Sequence, residues 1–214
     1  MKRLLLAVVL LLLPSVAAAA ERWDRPHWSL ELKGGAFFPA TENWSKFYGS
    51  SYLEQFGGAL SYKVIRQLEL GIAGTYGWAT GKGVQPSHGV AAGETDYQQA
   101  PLDLFILARG VFDENQLLVP YAGGGYTRMF YRVGVKGQSS TEGSVNGYHA
   151  RAGLQFLLDR LEPESAENLY NDYGLQHTYF FVEGKYTRAI ADTVPSGSVN
   201  IGGTSALAGL LVEF

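Results

Sequence analysis

Counting back by twos from Phe214 gives Val212, Leu210, Ala208 and Ala206, all apolar, while the alternate register reads Glu213, Leu211, Gly209, Leu207 and Ser205. A period of two puts the two sets on opposite faces of a β-strand. Seven earlier stretches, each about ten residues long or somewhat more, carry the same alternation, and that is the length a tilted strand needs to cross a bilayer. No stretch after the N-terminal segment approaches the roughly 18 consecutive apolar residues of a membrane helix. Any crossing must therefore use strands.

The expected faces run as follows. The first stretch points Trp28, Leu30, Leu32, Ala36 and Phe38 outward, with Ser29, Glu31, Lys33 and Gly35 inward. The second points Phe56, Leu60, Tyr62 and Val64 out, and Gln55, Ala59, Ser61 and Lys63 in. The third has Leu68, Leu70, Ile72, Tyr76 and Trp78 against Glu69, Gly71, Ala73 and Thr75. The fourth has Leu102, Leu104, Ile106, Ala108 and Phe112 against Asp103, Phe105, Leu107 and Arg109. In the fifth, Tyr121, Met129, Tyr131 and Val133 are expected outside and Tyr126, Arg128, Phe130 and Arg132 inside. The sixth places His149, Arg151 and Gln155 inside, and the seventh Glu183, Lys185 and Thr187. A soluble sandwich would show the same alternation, but its aromatics need not gather at strand ends. Here Trp28, Tyr62, Phe112, Tyr121, Phe156, Phe180 and Phe214 fall near one rim, and Phe38, Tyr76, Trp78, Tyr131, Tyr148 and Tyr186 near the other. Two aromatic belts around an apolar band suit lipid interfaces. The expected fold is all-β: an eight-stranded antiparallel up-and-down transmembrane barrel.

Met1-Lys2-Arg3 is a basic start, Leu4 to Leu13 is unbroken apolar, and Ala18-Ala19-Ala20 supplies small residues. That pattern is a secretory signal peptide over residues 1–20, leaving 21–214 as one barrel domain. The formal net charge is −3, and more negative without Lys2 and Arg3. That sign argues against nucleic acid as a partner. With no cysteine, disulfides, thiolate metal sites and thiol nucleophiles are excluded.

Three links on the side away from the termini are long and polar, Pro39 to Glu54, Ala79 to Gln98 and Gly134 to Asn146, and Ala189 to Gly203 is similar. Two links on the terminal side, around Ile65-Arg66-Gln67 and Asp113 to Gln116, are short, as periplasmic turns are. The third, Asp159 to Gln176, carries Pro163 early, acids in its first turn and Gly174 at its end. These are helix start and stop signals, so a short helix under the rim is expected in the third periplasmic turn.

The chain resembles small eight-stranded outer-membrane barrels of the OmpA/OmpW type from Gram-negative bacteria. More narrowly, it is similar to a family of outer-membrane β-barrel proteins found in myxobacteria and related bacteria. The residues that carry this likeness are Val119-Pro120-Tyr121-Ala122-Gly123-Gly124-Gly125, Gly153-Leu154 with Leu158-Asp159, Leu161-Glu162-Pro163, Gly174-Leu175-Gln176-His177-Thr178-Tyr179-Phe180, and Glu183. The resemblance implies fold and location and no activity. It also implies that Phe214 is an assembly signal read by the barrel-assembly machinery. The expected partners are outer-membrane lipid and that machinery, with the barrel a monomer in the outer membrane.

Gly123-Gly124-Gly125 lacks the Lys-Ser/Thr of a phosphate loop and lies within a strand, so it reads as bare backbone. His27, His88, His149 and His177 fall at different heights and do not converge on a metal. Neither a Gly-x-Ser-x-Gly elbow nor a His-x-Ser pair is present, although a loop serine such as Ser144 or Ser198 could approach His149. The pattern points to no cofactor, metal or catalytic group. The inward charges are the informative set: Glu31, Glu69, Asp103, Glu183 and Glu213 with Lys33, Lys63, Arg109, Arg128, Arg132, Arg151 and Lys185. Eight strands leave an interior wide enough only for side chains, so these charges must pair, with Arg109, Arg128 and Arg151 neutralising carboxylates. A charge-plugged barrel acting structurally or through four outer loops is expected. The alternatives are a narrow or lateral conduit for small apolar solutes, guided by Phe105, Leu107, Tyr126 and Phe130, and a lipid-modifying enzyme.

Overall fold

The computed structural model describes residues 26–81, 94–113, 116–135, 140–192 and 197–214. The expected signal peptide, His88, and Glu114 and Asn115 of one turn lie outside these residues. The strands are β1 (Trp28–Pro39), β2 (Leu53–Ile65), β3 (Leu68–Gly81), β4 (Thr95–Arg109), β5 (Leu118–Val135), β6 (Thr141–Leu157), β7 (His177–Asp192), β8 (Ser198–Asn200) and β9 (Gly203–Glu213). Helix α1 (Trp44–Tyr48) follows β1, and α2 (Pro163–Tyr173) joins β6 to β7.

Each stave pairs antiparallel with its neighbours in chain order, β9 pairs with both β1 and β7, and β6 pairs with β7, so eight strands close into a ring. In hydrocarbon every backbone N–H and C=O needs a partner within the protein, and closure removes the edges that would leave a row unpaired. The ring is sealed at the C-terminus: Trp28 N–H donates to the Phe214 carbonyl at 2.9 Å, and Phe214 N–H to the Trp28 carbonyl at 3.0 Å. The short β8 folds back on the outer tip of β7, with Ile190 opposite Asn200. Among the described residues, no helix is long and apolar enough to cross a membrane.

In seven of the eight staves the expected faces are the observed ones. Leu32 is 65% exposed between Glu31 at 2% and Lys33 at 6%. The exception is β5, where the faces are reversed. Tyr121, Thr127 and Met129 are buried, while Tyr126 and Phe130 lie outside. Residues opposite one another on a ladder share a face, and the register pairs Arg109 with Tyr121, Leu104 with Tyr126 and Leu102 with Arg128. The three glycines had left the phase of the alternation unmarked. They also explain the close strand approach here: a Cβ on Gly125 would stand 1.9 Å from the Leu104 carbonyl oxygen.

Helix α2 forms as its end signals require. Pro163 opens it, Gly174 adopts φ 71° after it, and Gly174 N–H bonds to the Tyr170 carbonyl at 2.9 Å. It leans on the rim only lightly. Ala166 and Leu169 are half-buried, whereas Leu161 and Tyr173 stay exposed. Staves β5, β6 and β7, at 18, 17 and 16 residues, exceed the ten or so needed to span lipid and extend beyond it on the loop side.

Leu104 sits mid-strand on the lipid face. Leu104→Arg is expected to destabilise the barrel by about 2–4 kcal/mol, the cost of a cation near the bilayer midplane. Folding titrations in phosphatidylcholine vesicles test this, and equal midpoints for both proteins would contradict the face assignment.

Candidate functional site: the charged lumen

Alternation delivers the inward side chains, and the strand register stacks them in three groups from the terminal rim to the outer mouth. The lowest centres on Arg109, at the end of β4. Its Nη1 donates to Glu69 Oε1 at 2.9 Å and Glu213 Oε1 at 2.6 Å, and its Nε and Nη2 both donate to Gln155 Oε1. Lys63 Nζ lies 2.5 Å from Glu213 Oε2, and Ser61 donates to Glu69 Oε2 at 2.8 Å. Val111, Val119, Leu157, Phe181 and Leu211 pack round this group with Tyr179, over whose ring the Arg109 guanidinium lies at 5.4 Å.

The middle group centres on Arg151 from β6. Nη2 donates to Glu31 Oε1 at 2.6 Å, and Nε stands 2.7 Å from Glu183 Oε2. That second contact is made by charge, since the Nε proton has no aligned acceptor. Lys33 bridges the other oxygens of Glu31 and Glu183 at 3.1 and 3.3 Å, and Tyr121 donates its hydroxyl to Glu183 at 3.0 Å. The guanidinium lies over Phe105 at 4.6 Å and Tyr121 at 5.6 Å, a stacking that suits its planar, weakly hydrated charge. Tyr121 reaches this place across Gly153, where a Cβ would meet its hydroxyl at 2.6 Å.

The upper group surrounds Asp103. Lys185 hydrogen-bonds one oxygen, and the Thr127 hydroxyl donates to the other at 2.6 Å. His149 Nδ1 lies 2.9 Å from Thr127 Oγ1. With its own proton committed to Asp103, that hydroxyl accepts from His149. This is the reverse of a base activating a nucleophile. Above it, Phe37, Trp44, Leu53 and Tyr97 form an apolar roof, joined by Tyr48, Tyr131 and Val133. Trp44 stacks on Tyr48 at 4.0 Å and meets Tyr97 edge-on at 5.0 Å. Burial, together with the nearby Asp96 carboxylate, pushes the Tyr48 phenol above its ordinary pKa.

Two expected members are absent from the lumen. Arg128 lies outside, with Nη1 on Asn146 Oδ1 and Nη2 on Ser144 Oγ, both at 2.7 Å. Arg132 pairs with Glu142 at 3.2 Å on the exposed surface. Both follow from the reversed phase of β5, as do the outward positions of Tyr126 and Phe130. The other expected members, Glu31, Lys33, Lys63, Glu69, Asp103, Arg109, Arg151, Glu183 and Lys185, are all buried. With Glu213, the described lumen holds five acids and five bases. Tyr121, Thr127 and the roof residue Trp44 are members that alternation alone did not reveal. Ladder pairing of Tyr121 with the inward Arg109 and Gly153 is the signal that finds the first. Ser144 is held outside by Arg128 and does not approach His149. His27 stacks on Tyr62, and His177 Nδ1 lies 2.9 Å from Asp159. Among the described residues no His, Asp and Glu side chains gather as a metal site.

A sequence profile described as the outer membrane protein beta-barrel domain matches residues 5–193. The chain belongs to that family. It is an outer-membrane β-barrel protein. Among solved structures, it is similar to the Neisserial surface protein A (NspA), with TM-score 0.56, 14% identity, and coverage of 87% of this chain and 97% of that one. It is also similar to the outer membrane protein OprG from Pseudomonas aeruginosa, with TM-score 0.60, 12% identity, and coverage of 89% and 97%. These likenesses concern the fold. No curated protein matches the chain.

Arg109→Ala is expected to cost about 3–5 kcal/mol, because it leaves Glu69 and Glu213 buried without their shared partner. Arg128→Ala should leave the lumen network intact and change stability far less. Urea unfolding of both variants in lipid measures the difference, and equal losses would contradict the assignment.

Proposed function

We propose that this protein is a closed, charge-plugged barrel that acts as an envelope scaffold and presents its outer loops to partners. The carrying observation is that every buried lumen acid and base among the described residues is paired, and that several of the pairs link strands that are not neighbours. Arg109 joins β4 to β3 and β9, and Arg151 joins β6 to β1 and β7. A solute path would have to part these pairs, and breaking one leaves a buried charge uncompensated. In this reading Phe105 and Tyr121 cover Arg151 and do not guide an apolar solute. The reading assigns no catalysis, since the one histidine in the lumen among the described residues, His149, is tied into the Thr127–Asp103 chain. It also takes residues 1–20 as a cleaved signal peptide, the barrel as a monomer, and Phe214 as the handle for the assembly machinery.

In planar bilayers the purified protein is expected to conduct poorly, and Arg151→Ala should raise conductance by freeing Glu31 and Glu183. Large, steady, ohmic wild-type channels would overturn the plug and favour a conduit for solutes. Deletion of Phe214 should lower outer-membrane levels, because it removes both the proposed handle and two ladder hydrogen bonds to Trp28. Immunoblotting of outer-membrane fractions tests this, and unchanged levels would remove Phe214 from the assembly role.

A further inference from the structure

The outer face of β5, β6 and β7 carries arginines near the loop end of the strands, above a band of apolar side chains. Arg128, on β5, and Arg188, on β7, both point outward. The register places Tyr126, Tyr148 and Arg188 on one row across the three strands, with Arg128 and Asn146 on the next row outward. Tyr186 lies just below. Both arginines therefore stand at the height of the outer aromatic belt, where hydrocarbon gives way to headgroups.

Neither guanidinium has a carboxylate partner among the described residues. Arg128 is held in place by neutral acceptors, Asn146 and Ser144, and lies over the Phe130 ring at 6.0 Å. Its side chain is thus oriented while its charge stays uncompensated. Tyr126 helps fix that geometry by donating to the same Asn146 oxygen at 2.7 Å. Two strand spacings and one row separate the arginines, roughly 12 Å, a distance two long side chains can close on one headgroup. Toward the membrane centre, Ala122, Gly124, Ala150 and Ala152 form a shallow strip between the bulkier Ile106 of β4 and Tyr186 of β7. Such a strip accepts an acyl chain lying along the barrel wall.

We propose that this face binds one phosphorylated glycolipid of the outer leaflet, of lipid A chemistry. Arg128 and Arg188 engage its phosphate, and an acyl chain lies over the Ala122–Ala152 strip. Arginine forks match phosphate oxygens in charge and geometry, and the interfacial depth matches a lipid headgroup. Arg132, already paired with Glu142, lies outside the site. The inference rests on the outer surface and does not depend on whether the lumen is plugged.

The test uses the full-length barrel in phosphatidylcholine nanodiscs doped with diphosphoryl lipid A, transferred to detergent, with retained lipid counted by native mass spectrometry. Wild type and Arg132→Gln are expected to retain about one lipid A. The double variant Arg128→Gln/Arg188→Gln should retain about a hundredfold less, the loss of two charge-assisted contacts of about tenfold each. Equal retention by the double variant would overturn the site. A second measurement needs no variant: wild type should prefer diphosphoryl lipid A to the same glycolipid stripped of phosphate. Equal retention of both would overturn the phosphate contact. Inorganic phosphate competing at the same concentration as lipid A would overturn the acyl part.

Discussion

An ionised side chain inside an eight-stranded barrel has almost no bulk water to hydrate it, because side chains from all the staves fill the interior. Its lost hydration must be replaced by partners. The lumen meets that demand, among the described residues, with five carboxylates and five bases, with both oxygens of Glu31, Glu69, Asp103, Glu183 and Glu213 engaged. Balance matters as much as contact. With Arg128 and Arg132 inside, seven bases would face five acids, and two cations would be buried without counter-charge. Their position outside is therefore the electrostatically cheaper arrangement as well as the one the ladder dictates.

The outer surface faces the opposite problem. Hydrocarbon accepts Leu32, Leu104 and Ile106 but penalises charge with increasing depth. Outward arginines are tolerated only near the headgroups, and that is where Arg128 and Arg188 stand, beside Tyr126, Tyr148 and Tyr186. Inside, a cation survives at any depth if it is paired. Outside, it survives only at the edge, where it can reach phosphate or water.

Most of the fold could be read from the sequence because the two environments impose opposite chemistry on alternate residues. That rule gave the faces of seven staves and the inward positions of Glu31, Arg109, Arg151 and Lys185. It failed in β5, where Gly123-Gly124-Gly125 erased the phase and an apolar-outward assumption took hold of Tyr121 and Met129. An aromatic residue in a lumen of this kind is a cover for guanidinium, as Tyr121 and Phe105 are for Arg151, so apolar character does not by itself mean lipid. The roof was hidden for a different reason. Trp44 and Tyr48 occur in a stretch that reads as a polar outer loop, and only the packing of α1 against Phe37, Leu53 and Tyr97 turns it inward. Helix α2 was legible because Pro163 and Gly174 mark its ends locally, but how lightly it sits on the rim depends on tertiary contacts that local signals do not encode.

The positions of the charges along the chain tie pairing to closure. Glu31 belongs to β1 and Glu213 to β9, the first and last staves, whose pairing seals the ring. Their partners come from elsewhere in the ring: Arg151 from β6, Arg109 from β4 and Lys63 from β2. In an open sheet these carboxylates would be held only by their neighbours in sequence, such as Lys33 two residues from Glu31. When the barrel closes, the bases of the middle strands arrive across the axis and complete both acids at once. The network therefore favours the closed ring over an open sheet beyond what the β1–β9 ladder contributes. It also favours one register of the seam, because a one-residue slip would turn Glu31 or Glu213 toward lipid.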